Sequence, residues 1–304
     1  MNFTSGYIKT SLYKLWDTDW RILILPMAIL WPAGLFCQDI PKSVSMRPFC
    51  PPVRQQFLAT CFAYAPVYTA FSTMDNIRAN ITDSASKAAN AFSDAYVFSN
   101  LNRSNRWVTR IFSRCGMNGT YLKSLEFLRV FGTCKMVDYN QEFSCQCVKN
   151  TNKLQSFTND LPGKLVKISN YEIYINVFKY IDIPDGSTLN YTSKGWILQK
   201  LAENKVVIAA INQVSSLLAL RQPVWEPTQE DFITLARDVL SNHVLCIIGY
   251  KFVKEKDNVN GHDREVLYLE IRNNYSPWGE NGYAFVNADD FLPFVEDAAV
   301  IIYE

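Results

Sequence analysis

The chain has 304 residues, of which 48% are hydrophobic, so it can bury a large core in one domain or in two lobes. Its 30 Lys and Arg residues nearly balance its 29 Asp and Glu residues, and no basic stripe is present, which argues against a nucleic acid partner. Aromatic residues make up 14% of the chain, which argues against a disordered protein.

The N-terminus has the pattern of an export signal. Three basic residues within the first 21 precede an apolar run from Ile22 to Cys37. This run of 16 residues is shorter than the about 20 that a membrane-spanning helix needs. We therefore expect residues 1–37 to be a cleaved signal peptide and residues 38–304 to be a secreted or periplasmic domain outside the cytoplasm. An uncleaved membrane anchor is the alternative.

Cysteine usage is interpreted in the same way, because an exported chain can oxidise its cysteines. The chain has eight cysteines. If Cys37 is removed with the signal peptide and Cys61 is a reactive thiol, six remain: Cys50, Cys115, Cys134, Cys145, Cys147 and Cys246. Four of them cluster within 33 residues, where disulfides are expected and a zinc site is the alternative. Cys246 lies in an apolar run and is expected to be a buried, unreactive thiol.

The first half of the chain has helical patterns. Residues 38–55 are polar and rich in proline, which predicts an extended segment. From Cys61 onward, apolar residues recur mostly at steps of three and four, which predicts a helix. A second helix is predicted for Ser84–Asn100, and a third for Tyr121–Phe131, ended by Gly132.

After about residue 165 the pattern changes to short apolar or alternating runs, which predict strands. These runs are Val206–Ile211, Val244–Tyr250, Val266–Ile271, Tyr283–Val286 and Ala299–Tyr303. Residues 213–240 are predicted to be a long loop with one short helix, Thr228–Leu240. Helices followed by strands are typical of an α+β fold, with a helical lobe at about 38–165 and a β lobe at about 166–304. The cleft between the lobes is the expected site.

Four residues form a candidate set for acyl transfer. Cys61 directly precedes a predicted helix, whose free N–H groups and dipole favour a thiolate nucleophile. His243 begins a predicted strand and is the candidate base, while Asn273 follows the adjacent strand, where its amide oxygen could orient the imidazole. Gln55 could donate an N–H to the oxyanion, together with the backbone N–H of Cys61.

Each of these residues also has a purely structural interpretation. Single cysteines and histidines are more often core or structural residues than catalytic ones. Asn273 and its neighbour could form a turn, and Gln55 could be an ordinary exposed side chain. The other histidine, His262, lies in a hydrophilic loop and is interpreted as a solvated turn residue. The order of the four candidates along the chain, taken together, favours the catalytic interpretation.

Four segments of the sequence resemble the papain family of cysteine peptidases. The segment from Pro52 to Tyr64 is similar to the one that carries the oxyanion glutamine and the nucleophile. Gly116-Met-Asn-Gly-Thr-Tyr121 is similar to the family's Gly-Cys-Asn-Gly-Gly-Tyr loop, which contacts the substrate backbone. Asn242–Tyr250 and Ile271–Tyr283 match the segments that carry the histidine and the asparagine.

The resemblance implies a role for each matching residue. It assigns the catalytic roles to Cys61, His243, Asn273 and Gln55, with Gln56 as a possible substitute for the glutamine. It implies substrate contacts for Gly119, Thr120, Tyr121, Ala59, Asn242, Tyr275 and Trp278. It also implies a resting thiolate–imidazolium pair and requires neither a metal nor an organic cofactor.

The chain departs from the family pattern where the family contacts substrate. Ala59 and Thr120 replace glycines, and Phe62 and Tyr275 replace tryptophans. His243 lies 182 residues after Cys61, against about 130–150 in the family, so insertions must lie between them. None of these departures removes a catalytic group.

We therefore expect a monomeric, secreted, papain-like peptidase that acts on peptide or protein substrates and binds no nucleic acid. It would contact a membrane only if its N-terminal apolar segment were retained. One alternative is a papain-fold binding protein with weak or no turnover, because Ala59 and Thr120 crowd the path of a substrate backbone. Another is an amidase or transpeptidase with a narrow substrate.

Overall fold

The computed structural model describes most of the unit Ile40–Glu304. The described ranges are 40–56, 60–104, 119–139, 163–175, 186–236, 241–256 and 262–304. Ala59 and residues 1–39 lie outside these ranges, so the signal peptide stays a prediction. Within the described ranges no helix is both long and apolar enough to cross a lipid bilayer.

Helices dominate the first half of this unit. A helical segment begins at Cys61 and consists of α1 (Cys61–Ala63), a π-helical stretch (Tyr64–Phe71) and α2 (Ser72–Arg78). It is followed by α3 (Ser84–Asn90), α4 (Asp94–Ser104) and α5 (Tyr121–Val130). The side chain of Thr120 caps α5 by accepting the N–H of Lys123, and Gly132 follows the helix with a φ of 80°, which favours glycine.

The predicted helix Ser84–Asn100 is divided into α3 and α4. Between them Phe92 forms an antiparallel bridge with Lys135. The backbone N–H of Ser93 donates to the carbonyl of Cys134 at 2.9 Å, and that of Met136 donates to the carbonyl of Ala91 at 2.8 Å. Tertiary pairing with a distant segment therefore holds these residues extended, although the local pattern is helical.

A mostly antiparallel eight-stranded sheet takes seven strands from the second half of the chain and β1 from the N-terminal end of the unit. Its strands are β1 (Ser43–Ser45), β2 (Asn170–Ile175), β3 (Val207–Gln213), β4 (Val224–Trp225), β5 (Ser241–Lys256), β6 (Asp263–Arg272), β7 (Tyr283–Asn287) and β8 (Val295–Ile302). The strand order is β2-β8-β3-β5-β6-β7-β4, and β1 pairs with β5. The expected α+β class is confirmed, and β5 lies near the centre of the sheet.

The C-terminal half contains four helices: α6 (Gly186–Ala202), α7 (Ser215–Leu218), α8 (Gln229–Ala236) and α9 (Ala288–Phe291). α8 corresponds to the predicted short helix Thr228–Leu240, while the sequence pattern did not predict the other three. Residues 213–240 contribute α7 and β4 in addition to α8, which is more structure than the predicted loop with one short helix. The carboxylate of Asp231 joins these parts by accepting from the hydroxyl of Ser216 at 2.7 Å and from the N–H of Thr228 at 2.7 Å.

The disulfide prediction is wrong for Cys134, the one member of the cysteine cluster among the described residues, which is a buried free thiol. Cys50 is also a buried free thiol. Each sulfur lies inside the core with no cysteine partner in the described part of the chain. Burial raises the pKa of the Cys134 thiol to about 12. Cys246 is also a free thiol, is fully buried, and donates to the carbonyl of Ala65 at 3.3 Å, which confirms the prediction for this residue. Cys37, Cys115, Cys145 and Cys147 lie outside the described residues.

Candidate active site

Cys61 is the first residue of α1, as the sequence predicted. The residue is 9% exposed, and its sulfur is a hydrogen-bond acceptor for the backbone N–H groups of Val244 and Phe62. Val244 immediately follows His243, so the fold brings the thiol to the backbone beside the candidate base, 182 residues away along the chain. Burial raises the pKa of the Cys61 thiol, and the backbone N–H groups oppose this shift without reversing it.

His243 and Asn273 meet across two neighbouring strands. β5 and β6 pair so that Cys246 lies opposite Arg272, which places the end of β6 beside the start of β5. The imidazole Nε2 of His243 lies 2.8 Å from Oδ1 of Asn273. Both side chains are buried, with 3% and 1% exposure.

The hydrogen bonds around Asn273 decide which nitrogen of His243 carries the proton. Oδ1 of Asn273 also accepts the backbone N–H of Asn274 at 2.7 Å. Because an amide N–H can only donate, the Asn273 atom there is an oxygen and Nε2 of His243 must donate to it. A neutral His243 therefore has its lone pair on Nδ1, which is the nitrogen able to accept a proton.

The pKa shifts of the two groups oppose the expected thiolate–imidazolium pair. Burial lowers the pKa of His243, and the hydrogen bond to Asn273 raises it by less. Burial shifts the pKa of Cys61 in the opposite direction. Both shifts favour a neutral thiol beside a neutral imidazole in the free protein.

Both candidate glutamines lie against the segment that follows Asn273. Gln55 is exposed, and its side-chain oxygen accepts the N–H of Ser276 at 3.1 Å. Gln56 is buried, and its side-chain oxygen accepts from Nδ2 of Asn274 at 2.9 Å. The accessible glutamine is thus the one that lies six places before Cys61.

Tyr275 is half-buried beside the candidate base. Its ring stacks on the imidazole of His243 with the centroids 5.6 Å apart and an angle of 19° between the planes. Burial raises the pKa of the Tyr275 phenol, and negative charge on Cys61 raises it further. Tyr275 is therefore packed on His243 and interacts electrostatically with Cys61.

The loop predicted to contact substrate has mixed accessibility. Gly119 is partly exposed, and a Cβ on it would lie 2.1 Å from the ring of Phe62, which accounts for glycine at this position. Thr120 is exposed but its hydroxyl caps α5. Tyr121 is buried and donates its hydroxyl to the carboxylate of Asp297 at 2.7 Å.

The other predicted substrate contacts also differ in their exposure to solvent. Asn242 is exposed and donates to the carboxylate of Glu296 at 3.0 Å. Trp278 is fully buried, and its Nε1–H donates to the carbonyl of Leu217 at 2.6 Å, so in this structure it has no surface to offer a substrate. The predicted substrate contact at Ala59 lies outside the described residues.

Asn274 is a site residue that the sequence interpretation assigned only to a turn. Its Nδ2 donates to Gln56 and, at 3.1 Å, to the backbone carbonyl of Val244. It therefore joins the glutamine segment to the strand that carries His243. The sequence signal was its position directly after Asn273.

The functional groups at this site are suited to acyl transfer. Across the residues that the structure describes, no group of three or more His, Cys, Asp or Glu side chains could hold a metal ion. A thiol, an imidazole with a defined tautomer and an orienting amide are the parts that nucleophilic catalysis requires.

Comparison with known proteins gives matches of structure but not of sequence. No family model and no curated protein matches the chain. The cysteine protease CMS1MS2 of Carica candamarcensis, solved in complex with E-64, has a TM-score of 0.55 and 16% identity, covering 87% of this chain and all of that one. Xylellain, a cysteine protease from Xylella fastidiosa, has a TM-score of 0.53 and 14% identity, covering 88% of each chain. Digestive procathepsin L 3 of Tenebrio molitor has a TM-score of 0.53 and 14% identity, covering 86% of this chain and 70% of that one.

The chain has a papain-like fold. The resemblance of four sequence segments and the likeness of fold over most of the chain point to the same family of folds. At 14% to 16% identity, the likeness to these proteases concerns the fold.

Proposed function

We propose that this chain is a cysteine peptidase that hydrolyses peptide bonds through Cys61. The observation that carries the proposal is the position of the sulfur, which accepts the N–H of Val244 while the preceding His243 is hydrogen-bonded to Asn273. Fold likeness to cysteine proteases supports the proposal but does not supply it, since one fold can carry many functions.

In the proposed mechanism the first step couples proton transfer to attack. The resting thiol and imidazole are neutral, so Nδ1 of His243 takes the thiol proton as the Cys61 sulfur forms a bond to the amide carbonyl carbon. The carbonyl oxygen gains the negative charge of the tetrahedral intermediate. The backbone N–H of Cys61 and the side-chain amide of Gln55 stabilise that charge.

The remaining steps return the proton and release the products. His243 donates its proton to the leaving amine, the C–N bond breaks, and a thioester remains on Cys61. His243 then accepts a proton from water as the water attacks the thioester. Release of the carboxylic acid restores the thiol, and Asn273 keeps the imidazole oriented throughout.

The direct test is hydrolysis of a fluorogenic peptide library by the full chain. We expect turnover by the wild-type protein, loss of turnover in Cys61→Ala and in His243→Ala, and turnover by Cys246→Ala, which removes a buried thiol outside the site. Equal rates in the wild type and Cys61→Ala would contradict the proposal. Adding a competing amine distinguishes hydrolysis from transfer to the amine.

A pair of variants separates the two glutamines. Removing an oxyanion donor costs about 10²- to 10³-fold in kcat, and we expect this loss for Gln55→Ala. Gln56→Ala removes a buried hydrogen bond to Asn274 and is expected to lower stability more than kcat. The opposite result, with kcat lost only in Gln56→Ala, would transfer the oxyanion role to Gln56.

A binding protein with little turnover is the second candidate function. It is favoured by the raised pKa of the Cys61 thiol and by the Thr120 side chain, which is occupied in capping α5. An epoxysuccinyl thiol reagent followed by intact-mass measurement separates the candidates. Covalent labelling of Cys61 supports a competent nucleophile, while peptide binding without labelling or turnover supports the binding protein.

We further propose that residues 1–37 direct export of a peptidase domain formed by residues 38–304, with a helical lobe to about residue 165. The apolar run from Ile22 to Cys37 supports this proposal. N-terminal sequencing of the secreted protein tests it, with a start near Gln38 expected. Retention of the full N-terminus in a membrane fraction would support the anchor instead.

A further inference from the structure

The exposed turn between α2 and α3 carries the triplet Asn80-Ile-Thr82, which has the Asn-X-Ser/Thr pattern that accepts N-linked glycans in exported proteins. The chain contains six such triplets, and two of them have all three side chains in the described part of the structure. These two are Asn80-Ile-Thr82 and Asn274-Tyr-Ser276. The pattern treats the two alike, so only their surroundings in the fold can distinguish them.

The two asparagines differ in the accessibility of the amide nitrogen that would be modified. Asn80 is exposed, and its side chain has no hydrogen-bond partner among the described residues. Asn274 is fully buried, and its Nδ2 donates to Gln56 at 2.9 Å and to the carbonyl of Val244 at 3.1 Å. A sugar on Asn274 would break both bonds and would have no room in the close-packed core, whereas a sugar on Asn80 would extend into solvent.

The way α2 ends accounts for the asparagine of the exposed triplet but not for its threonine. Asn80 has a φ of 53°, and the N–H groups of Asn80 and Ile81 donate to carbonyls of the last turns of α2, a helix ending that favours glycine or asparagine. Asn204 follows α6 with the same pattern of bonds, a φ of 56° and the same exposure. Val206 lies two places after Asn204, so this ending does not require a hydroxyl there. The exposed hydroxyl of Thr82 is the feature that distinguishes the first turn.

A glycan at this turn would leave the candidate active site open. Cys61 begins the helical segment, and Arg78 ends it. At a rise of about 1.5 Å per residue, the two ends of the segment are roughly 25 Å apart. Asn80 lies just beyond the end opposite Cys61, so a sugar there is compatible with access of a substrate to the sulfur.

We propose that Asn80 is an acceptor for an N-linked glycan that is attached as the chain is exported. In this reaction Nδ2 of Asn80 forms a bond to the anomeric carbon of the first sugar of a lipid-linked oligosaccharide. The bond from that carbon to the lipid diphosphate breaks, Nδ2 loses one proton, and the lipid diphosphate leaves. The inference rests on the proposed export of the chain, through a compartment that contains an oligosaccharyltransferase, and does not depend on peptidase activity.

The test uses the full chain produced in eukaryotic cells that attach N-linked glycans to secreted proteins. Protein from the secreted and membrane fractions is treated with peptide N-glycosidase in heavy-oxygen water, which converts a glycosylated asparagine to a labelled aspartate, and peptide mass spectrometry locates the label. We expect the label at Asn80 and none at Asn274. On a gel, Asn80→Gln and Thr82→Val should each lose the mobility shift of one glycan, whereas Thr82→Ser, which keeps a hydroxyl, should retain it.

Asn204→Gln is the matched control, because it removes an exposed asparagine with the same backbone geometry, and its mobility should equal that of the wild type. An unlabelled Asn80 in protein from these fractions would overturn the inference. A chain found only in the cytosol would overturn it together with the proposed export. Cys61→Ala should be labelled at Asn80 like the wild type, so the proposed peptidase activity and this inference can fail separately.

Discussion

Replacement of Asn273 by alanine tests the buried hydrogen bonds on which the candidate site depends. The change leaves two donors without their acceptor, Nε2–H of His243 and the backbone N–H of Asn274. All three residues are at most 3% exposed, so water cannot replace the lost oxygen without entering the core. An unsatisfied buried donor costs about 1–3 kcal/mol, and two of them predict a loss of about 2–6 kcal/mol in the free energy of unfolding.

Equilibrium unfolding in urea, followed by tryptophan fluorescence, measures this loss. Asn273→Asp is the control, because it retains an oxygen that can accept from both donors and should lose less stability than Asn273→Ala. A loss below about 1 kcal/mol for Asn273→Ala would refute the reasoning, since that is the value of a single exposed or replaceable hydrogen bond.

The difference in stability between the wild type and Asn273→Asp is expected to depend on pH. Burial lowers the pKa of His243 in the folded state, so its contribution to stability is complete above its unfolded pKa of about 6.5 and is lost as pH falls through the lowered folded pKa. The carboxylate in Asn273→Asp favours the imidazolium and raises the folded pKa. The stability difference between wild type and Asn273→Asp should therefore shrink between pH 7.5 and pH 5.5, and a widening gap would contradict a buried neutral His243.

Two further substitutions test the surroundings of the site. Gly119→Ala places a Cβ 2.1 Å from the ring of Phe62 and should destabilise the fold by about 1–3 kcal/mol. The control is Gly195→Ala in α6, where no atom lies within 4 Å of the added Cβ and the change should stabilise the fold by about 0.5–1 kcal/mol. Equal free energies of unfolding in urea for the two variants would contradict this prediction. Arg54→Met leaves the fully buried carboxylate of Asp94 without its cation and should lower the free energy of unfolding, measured in urea, by about 3–5 kcal/mol. Adding Asp94→Asn removes the unpaired charge and should restore part of this loss. If it restores none, the ion pair is not the cause.

Elements with strong local patterns could be predicted from the sequence. The start of the first helix at Cys61 follows from its apolar periodicity, and α5 follows from the pattern between Thr120 and Gly132. β3 and the buried part of β5 were predicted because continuous apolar runs are typical of central strands. These are elements in which local preference and tertiary burial agree.

The elements that were missed have weak local patterns. α6 contains glycine, serine and threonine in its first three positions and does not repeat its apolar residues at helical spacing. β2 has six residues and lies at the edge of the sheet, where pairing with β8 stabilises it. In both cases tertiary contacts outweigh local preference, and a single sequence does not contain those contacts.

The identity of the candidate site residues could be predicted, but not their accessibility. Trp278 belongs to a motif that resembles a substrate-contacting segment, yet its indole N–H is used to bind the carbonyl of Leu217. Thr120 and Tyr121 are also held by partners within the chain. Residue type and spacing indicate which chemistry is possible, while the partners of each side chain decide which groups remain free to use it.

The pKa of the Cys61 thiol also depends on its surroundings in the fold and not only on its position in the sequence. The position of Cys61 at a helix start predicts a lowered thiol pKa, because the N–H groups there favour negative charge. The structure retains those N–H groups and adds burial, which acts more strongly and in the opposite direction. Since burial also lowers the pKa of His243, both shifts favour the form in which the proton is on the sulfur. A thiol whose pKa is raised in this way depends on the hydrogen-bond donors around it to stabilise the charge that develops during attack, which here are the backbone N–H groups of Val244 and Phe62.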